Sequence, residues 1–142
     1  MNHDLIQQIL RELTVSLGSL DMEAMEMLAE AILQTRCRHG RIFGIAAGRM
    51  KFVMNAFIMR LNQMDIPAGT VGDTYNPPLT QKDLVIAASS SGHTHGIVDF
   101  ADRARKEIGT PVWAVTCDPQ SRLALLSDGV VLFRPASSTR AM

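Results

Sequence analysis

The sequence predicts a three-layer α/β fold, with a five-stranded parallel sheet between helices and two further helices leading into it. Three observations predict it. From Arg41 onward, short apolar runs of strand length alternate with segments of helical spacing, the order that right-handed crossovers convert into a parallel sheet. The runs are apolar without a polar alternation, as expected of strands covered on both faces. Glycine- or serine-rich turns follow the first and third runs, at the sheet edge where doubly wound folds hold their ligands.

The elements follow in order. Leu5, Ile6, Ile9, Leu10, Leu13 and Leu17 recur at three and four residues and form one apolar helical stripe. Asp21 reads as the N-cap of a second helix carrying Met22, Met25, Leu28, Ala29, Ile32 and Leu33, and Gly40 as its end. A buried strand is expected over Arg41–Ala47, then Gly48 and a helix from Met50 to Met64 through Phe52, Val53, Ala56, Phe57 and Leu61. A second strand is expected at Pro67–Val71, followed by the loop Gly72–Pro78. A third, Asp83–Ala88, runs into Ser89-Ser-Ser-Gly-His-Thr94 and a helix over Ile97–Ile108. A fourth, Pro111–Thr116, leads to a short helix at Ser121–Leu126, and a fifth covers Gly129–Phe133. The chain is thus expected to form one domain: helices over 1–38, an α/β core over 41–134, and a disordered polar tail over 136–142.

Composition narrows the function. The 142 residues carry 14 basic and 14 acidic side chains, so no electrostatic footprint for nucleic acid or an anionic membrane is present. With 46% apolar and 20% charged residues the chain is expected to bury a core of its own. No unbroken apolar run approaches the roughly 18–20 residues that span a bilayer. Charges from Asp4 onward argue against a signal peptide, so a cytoplasmic location is expected. Cys37 and Cys117 form neither a disulfide scaffold nor a zinc spacing, and both are read as packing residues. The methionines read as core or subunit contacts, and Trp113 as core.

The loop Ser89–Thr94 is the most informative segment. Ser89, Ser90, Ser91 and Thr94 surround Gly92 between a buried strand and a helix, which aims hydroxyls, amides and the positive helix end at one point. One such residue would read as an ordinary N-cap; the cluster reads as a cradle for a phosphate dianion. Gly48 and Arg49 repeat the logic after the first strand. Neither loop has the G-x-x-x-x-G-K-[ST] or G-x-G-x-x-G spacing, so no nucleotide and no other cofactor is expected. His93 and His95 flank Thr94. An imidazole there can shuttle protons, touch substrate or solvent, or cap a turn, and two histidines without a third ligand point to no metal. Asp73 and Asp118 read as turn-forming acids.

Several runs resemble a known family. Ala47-Gly-Arg-Met-Lys-Phe-Val-Met-Asn-Ala-Phe-Ile-Met-Arg-Leu61 resembles the first loop and helix of sugar isomerase (SIS) domains, most closely those of 6-phospho-3-hexuloisomerases. Val71-Gly-Asp-Thr-Tyr-Asn-Pro-Pro-Leu79 and Gly109-Thr-Pro-Val-Trp-Ala-Val-Thr116 continue the match, and Ser89-x-Ser-Gly-x-Thr94 matches the superfamily's phosphate loop. The resemblance implies a homodimer or homotetramer with shared sites. It also implies metal-free conversion of a 3-ketose 6-phosphate to a 2-ketose 6-phosphate through an enediol. By matching positions, Ser89, Ser91 and Thr94 would hold the phosphate of a phosphorylated sugar, Gly92 would let the backbone approach, and Gly48 and Arg49 would line the other side.

Departures from the pattern bear on the chemistry. Met50 stands where the family's first loop has a serine, Ser90 and His93 where the phosphate loop has glycine and glutamate, and Gln63 where a histidine is common. The family also continues after the fifth strand with a helix whose glutamate is a candidate base, whereas this sequence closes at Met142. Three alternatives follow. Either His93 or His95 supplies the base, or the domain binds a sugar phosphate without turning it over, or the sequence is cut short of the family's last helix. A partner subunit is expected to cover the surface that helix would cover.

Overall fold

A computed structural model of the chain describes residues 3–134. Two helices, α1 (His3–Gly18) and α2 (Met22–Cys37), precede β1 (Ile42–Ala46) and α3 (Arg49–Gln63). Then come β2 (Ala68–Thr70), β3 (Leu84–Ala88), α4 (His95–Arg103), β4 (Val112–Thr116), α5 (Arg122–Leu126) and β5 (Gly129–Leu132). All strand pairs are parallel and lie in the order β2-β1-β3-β4-β5. The expected tail over 136–142 lies outside the described residues.

The alternation of strand side chains builds two cores. Ile42, Leu84, Ile86 and Trp113 point to one face, where Leu28 and Ile32 of α2 and Met54, Ile58 and Leu61 of α3 cover them. Their neighbours Phe43, Val85, Ala87, Val112 and Ala114 point to the other, under Ile97, Val98 and Ala101 of α4 and Leu123 of α5. The sheet therefore has helices on both faces, as the sequence predicts. Among the described residues, no helix is long and apolar enough to cross a membrane.

The structure corrects several details. Asp21 does cap α2, accepting from the Ala24 amide at 3.0 Å. The left-handed residue past that helix is His39 (φ 60°), not Gly40. Gly40 is needed for a different reason: a Cβ there would meet the Lys82 carbonyl, while its amide closes the helix onto the Thr35 carbonyl at 2.8 Å. α4 starts at His95 and loosens into a π-helical turn at Ala104–Ile108, ended by Gly109 at φ 80°. Cys37 is exposed and does not pack. Of the helical methionines, expected as core or subunit contacts, Met54 is buried in the core and Met50 packs half-buried against it, while Met22, Met25, Met27, Met59 and Met64 are exposed. α1 buries none of its residues and leaves its apolar stripe uncovered.

Candidate functional site

The connections of β1 and β3 decide where a site forms. These strands are neighbours, yet β1 leads into α3 on one face and β3 into α4 on the other. The chain diverges past their carboxyl ends and leaves a crevice, the usual ligand position in open parallel sheets. A cavity of about 570 Å³ lies there. Ala47, Gly48, Arg49 and Met50 line it from the β1 side; Ala88, Ser89, Ser90, Ser91, Thr94 and Ile97 line it from the β3 side. Of the phosphate-loop residues expected from sequence, Gly48, Arg49, Ser89, Ser90, Ser91 and Thr94 are brought together here.

Local backbone geometry sets up both loops. Gly48 has φ 56° and ψ −139°, a conformation that favours glycine, and serves as N-cap of α3. Thr94 is the N-cap of α4. Neither cap closes its helix with a side-chain hydrogen bond. The Lys51 amide turns to the Gly48 carbonyl and the Ile97 amide to the Thr94 carbonyl, which leaves the leading amides of each helix, Arg49 and Met50 in one and His95 and Gly96 in the other, available to an anion. Arg49 is exposed beside them and has no ion-pair partner among the described residues.

The four hydroxyls differ in their commitments. Ser89 is 3% exposed; its oxygen accepts from the Gly92 amide at 3.1 Å and shares a hydrogen bond with the Thr94 hydroxyl at 2.9 Å. Ser91 accepts from the His93 amide at 3.2 Å, which leaves its own proton uncommitted. Ser90 donates to the thioether of Met50 at 3.4 Å.

A second set of contacts, which sequence reading missed, fastens the loop from behind. The Ser90 carbonyl accepts from the Cys117 amide at 3.0 Å and from the Thr116 hydroxyl at 3.2 Å. The Leu123 amide donates to the Gly92 carbonyl at 3.0 Å. Gly92, at φ 65°, rests directly on Ser121, which is fully buried and caps α5 through the Ala124 amide. Only tertiary proximity joins these segments; the one sequence signal is the small polar pair at the ends of the β4–α5 connection.

The histidines fall elsewhere. His93 lines a separate groove of about 410 Å³ with Asp102, Lys106, Gln120 and Arg122, and its Nε2 lies 3.9 Å from Asp118. His95 is exposed at the start of α4 and does not line the crevice. Asp118 forms a turn, accepting from the Gln120 amide at 2.8 Å. Burial pushes the Cys117 thiol up, and a hydrogen bond involving Ser90 offsets this only in part, so the thiol stays protonated. Among the described residues, no group of three or more His, Cys, Asp or Glu side chains could hold a metal ion.

No family model matches the chain. It is 36% identical over 128 residues to a 3-hexulose-6-phosphate isomerase of Mycobacterium gastri, covering 90% of this chain and 62% of that protein. A 3-hexulose-6-phosphate isomerase of Bacillus subtilis is 34% identical over 126 residues, covering 89% of this chain and 65% of the relative. The chain thus spans less than two thirds of either. Among solved structures, the Vibrio vulnificus NanR protein complexed with ManNAc-6P superposes with a TM-score of 0.74 at 24% identity, covering 92% of this chain and 50% of that one. A Methanococcus jannaschii protein, whose structure infers a molecular function of 3-hexulose-6-phosphate isomerase, superposes with a TM-score of 0.69 at 23% identity, covering 82% and 60%.

Sheet order and crevice make this a doubly wound α/β domain of the fold seen in those structures. Its sequence is similar to the 3-hexulose-6-phosphate isomerases.

Proposed function

We propose that the chain binds a phosphorylated sugar in the β1/β3 crevice and acts as a phosphosugar isomerase, interconverting a 3-ketose 6-phosphate and fructose 6-phosphate through an enediol. One observation carries this reading. Serine and threonine hydroxyls, two uncapped helix starts and an unpaired arginine converge on a single cavity, in a chain 36% identical to a 3-hexulose-6-phosphate isomerase. A phosphate dianion offers only acceptors and negative charge, which this lining complements. In this reading Ser91 and Thr94 donate directly, Ser89 braces Thr94, and Ser90 adds a further donor. Gly48 and Gly92 shape the backbone, and Arg49 supplies charge.

Isomerisation moves a proton between adjacent carbons and needs a base within reach. In this reading it falls to one of the imidazoles that the loop carries, His93 or His95; neither lines the crevice, so the reading requires one of them to turn toward the bound sugar. A second reading, binding without turnover, is favoured by a specific feature: Arg49 is the one titratable residue of the cavity lining among the described residues. Proton NMR with fructose 6-phosphate in deuterated buffer separates the two. Exchange of the carbon-bound hydrogens beside the carbonyl supports isomerisation, and its loss in His93→Gln with affinity unchanged within a few-fold makes His93 the base. Line-broadening without exchange supports binding alone.

The phosphate assignment has its own test. Ser91→Ala is expected to weaken fructose 6-phosphate by about ten-fold, the loss of one hydrogen bond to a charged group, and to leave unphosphorylated fructose unaffected. Equal loss for both sugars would remove Ser91 from the phosphate site.

We further infer that the chain works in the cytoplasm as a single SIS domain within a homodimer or homotetramer. The uncovered stripe of α1, with Leu5, Ile9, Leu10 and Leu13, supports this, as do Phe52 and Val53 of α3, 78% and 72% exposed. Light scattering is expected to return at least twice the 15.6 kDa chain mass; a stable monomer would count against it.

A further inference from the structure

We propose that Met50 sets the anion affinity of the crevice by withholding the Ser90 hydroxyl. The inference rests on the phosphate reading above and concerns how many donors the crevice holds ready. A dianion accepts hydrogen bonds and donates none, so free O–H groups are what count. Ser91 has one, since its oxygen accepts from the His93 amide while its proton is uncommitted. The Ser89–Thr94 pair has another, since one proton fills the shared bond and the second stays free. Ser89 is nearly inaccessible and already accepts from the Gly92 amide, so the free proton belongs on Thr94, which faces the cavity.

Ser90 is different. Its backbone is held, because two donors from the β4 end fix its carbonyl. Rotation of its side chain alone decides where the hydroxyl points: it donates to the Met50 sulfur at 3.4 Å, with the Cys117 thiol as a second hydrogen-bonding neighbour. A thioether is a weak acceptor, but the contact stabilises the free state. An anion that recruits Ser90 must first break it, so whatever the contact contributes to the free protein is subtracted from binding. Met50 lines the same cavity, one residue after Arg49 at the start of α3. It thus acts as an affinity-setting residue for the ligand's charged group, holding the crevice at two ready hydroxyl donors instead of three, beside the Arg49 guanidinium and the helix amides.

Replacing the sulfur by a methyl-bearing chain of similar volume tests this without reshaping the wall. Met50→Leu is expected to tighten inorganic phosphate by about three-fold, the scale of one modest hydrogen bond, by calorimetry or phosphorus NMR on the full chain. In a Ser90→Ala background the same substitution is expected to leave the affinity where Ser90→Ala alone puts it. An unchanged or weakened affinity in Met50→Leu overturns the proposal, as does a gain that persists without the Ser90 hydroxyl. Phosphate failing to bind the unaltered protein, or binding equally to Ser91→Ala, overturns the phosphate reading itself. Phosphate binding that needs Ser91 but ignores Met50 overturns the Met50 proposal alone.

Discussion

Asp83→Ala is expected to lower the thermal unfolding midpoint by about 10 °C, a loss of about 3 kcal/mol on the scale of breaking a buried, hydrogen-bonded ion pair. Asp83 stands just before β3 and is 1% exposed. One carboxylate oxygen accepts from the Arg41 amide at 2.8 Å and the Arg41 Nε at 3.3 Å. The other accepts from the Arg41 guanidinium at 3.2 Å, the Thr80 amide at 2.7 Å and the Thr80 hydroxyl at 2.9 Å. Arg41 in turn donates to the Pro78 carbonyl at 2.9 Å, and the Thr110 hydroxyl to the Thr80 carbonyl at 2.9 Å. One carboxylate thus ties the start of β1 to the loop that carries the chain from β2 to β3. Alanine leaves these five donors of Arg41 and Thr80 without this acceptor. Asparagine keeps the volume but can no longer accept at both atoms, so Asp83→Asn is expected to fall between wild type and alanine.

The same carboxylate predicts a pH dependence. Burial raises its pKa, but the hydrogen bonds from Arg41 and Thr80 outweigh burial and hold it below the usual carboxylate value. With the folded pKa depressed, the stabilisation is fully present above the unfolded pKa of about 3.9 and is lost as pH falls through the folded value. Denaturant titrations are expected to show a constant gap between wild type and Asp83→Ala from about pH 5 to 8. The gap is expected to narrow below about pH 4. A gap that stays constant into strong acid would mean the loss comes from packing and not from charge.

How much of this was legible beforehand divides along physical lines. Periodicity and turn residues are local properties, so the five strands, the helices on both faces and the hydroxyl cluster of the third loop could all be read from neighbouring residues. Exposure depends on what lies opposite. That is why the spacing of the α2 and α3 methionines could not divide core from subunit contact, with Met54 buried and Met50 packed half-buried against the core, and why Cys37 ended at the surface. Direction is set by backbone geometry that spacing does not encode. Ser91 and His93 are separated by a single glycine, yet Ser91 lines the crevice while His93 lines the neighbouring groove, with the left-handed turn at Gly92 between them. Support from behind was hidden for a similar reason. Thr116 and Ser121 lie some two dozen positions or more from the residues they hold, and nothing in their own neighbourhood marks them.

That support makes Gly92 the most sensitive position of the site. Gly92→Ala is expected to weaken fructose 6-phosphate more than ten-fold and to destabilise the protein by about 2–4 kcal/mol, the scale of combined backbone strain and overpacking. Two costs add. At φ 65° an alanine sits in the left-handed region, at about 1 kcal/mol or more. Its Cβ would also enter the van der Waals shell of Ser121 Cβ and Oγ and come to 3.0 Å from the Thr116 hydroxyl. Ser121 has no room to retreat, since it is fully buried and its oxygen holds the first turn of α5. The loop must therefore lift away from the β4–α5 connection. Lifting it breaks the Leu123–Gly92 hydrogen bond and draws the Ser90 carbonyl off Cys117 and Thr116. The two costs are separable. Gly92→Ala combined with Ser121→Gly removes the collision but keeps the strained φ, so it is expected to recover part of the lost affinity although α5 loses its cap. Circular dichroism on each variant distinguishes a displaced loop from an unfolded chain. Wild-type affinity in Gly92→Ala would show that the loop holds its shape without this fastening. No recovery in the double variant of a folded protein would assign the whole effect to the backbone turn.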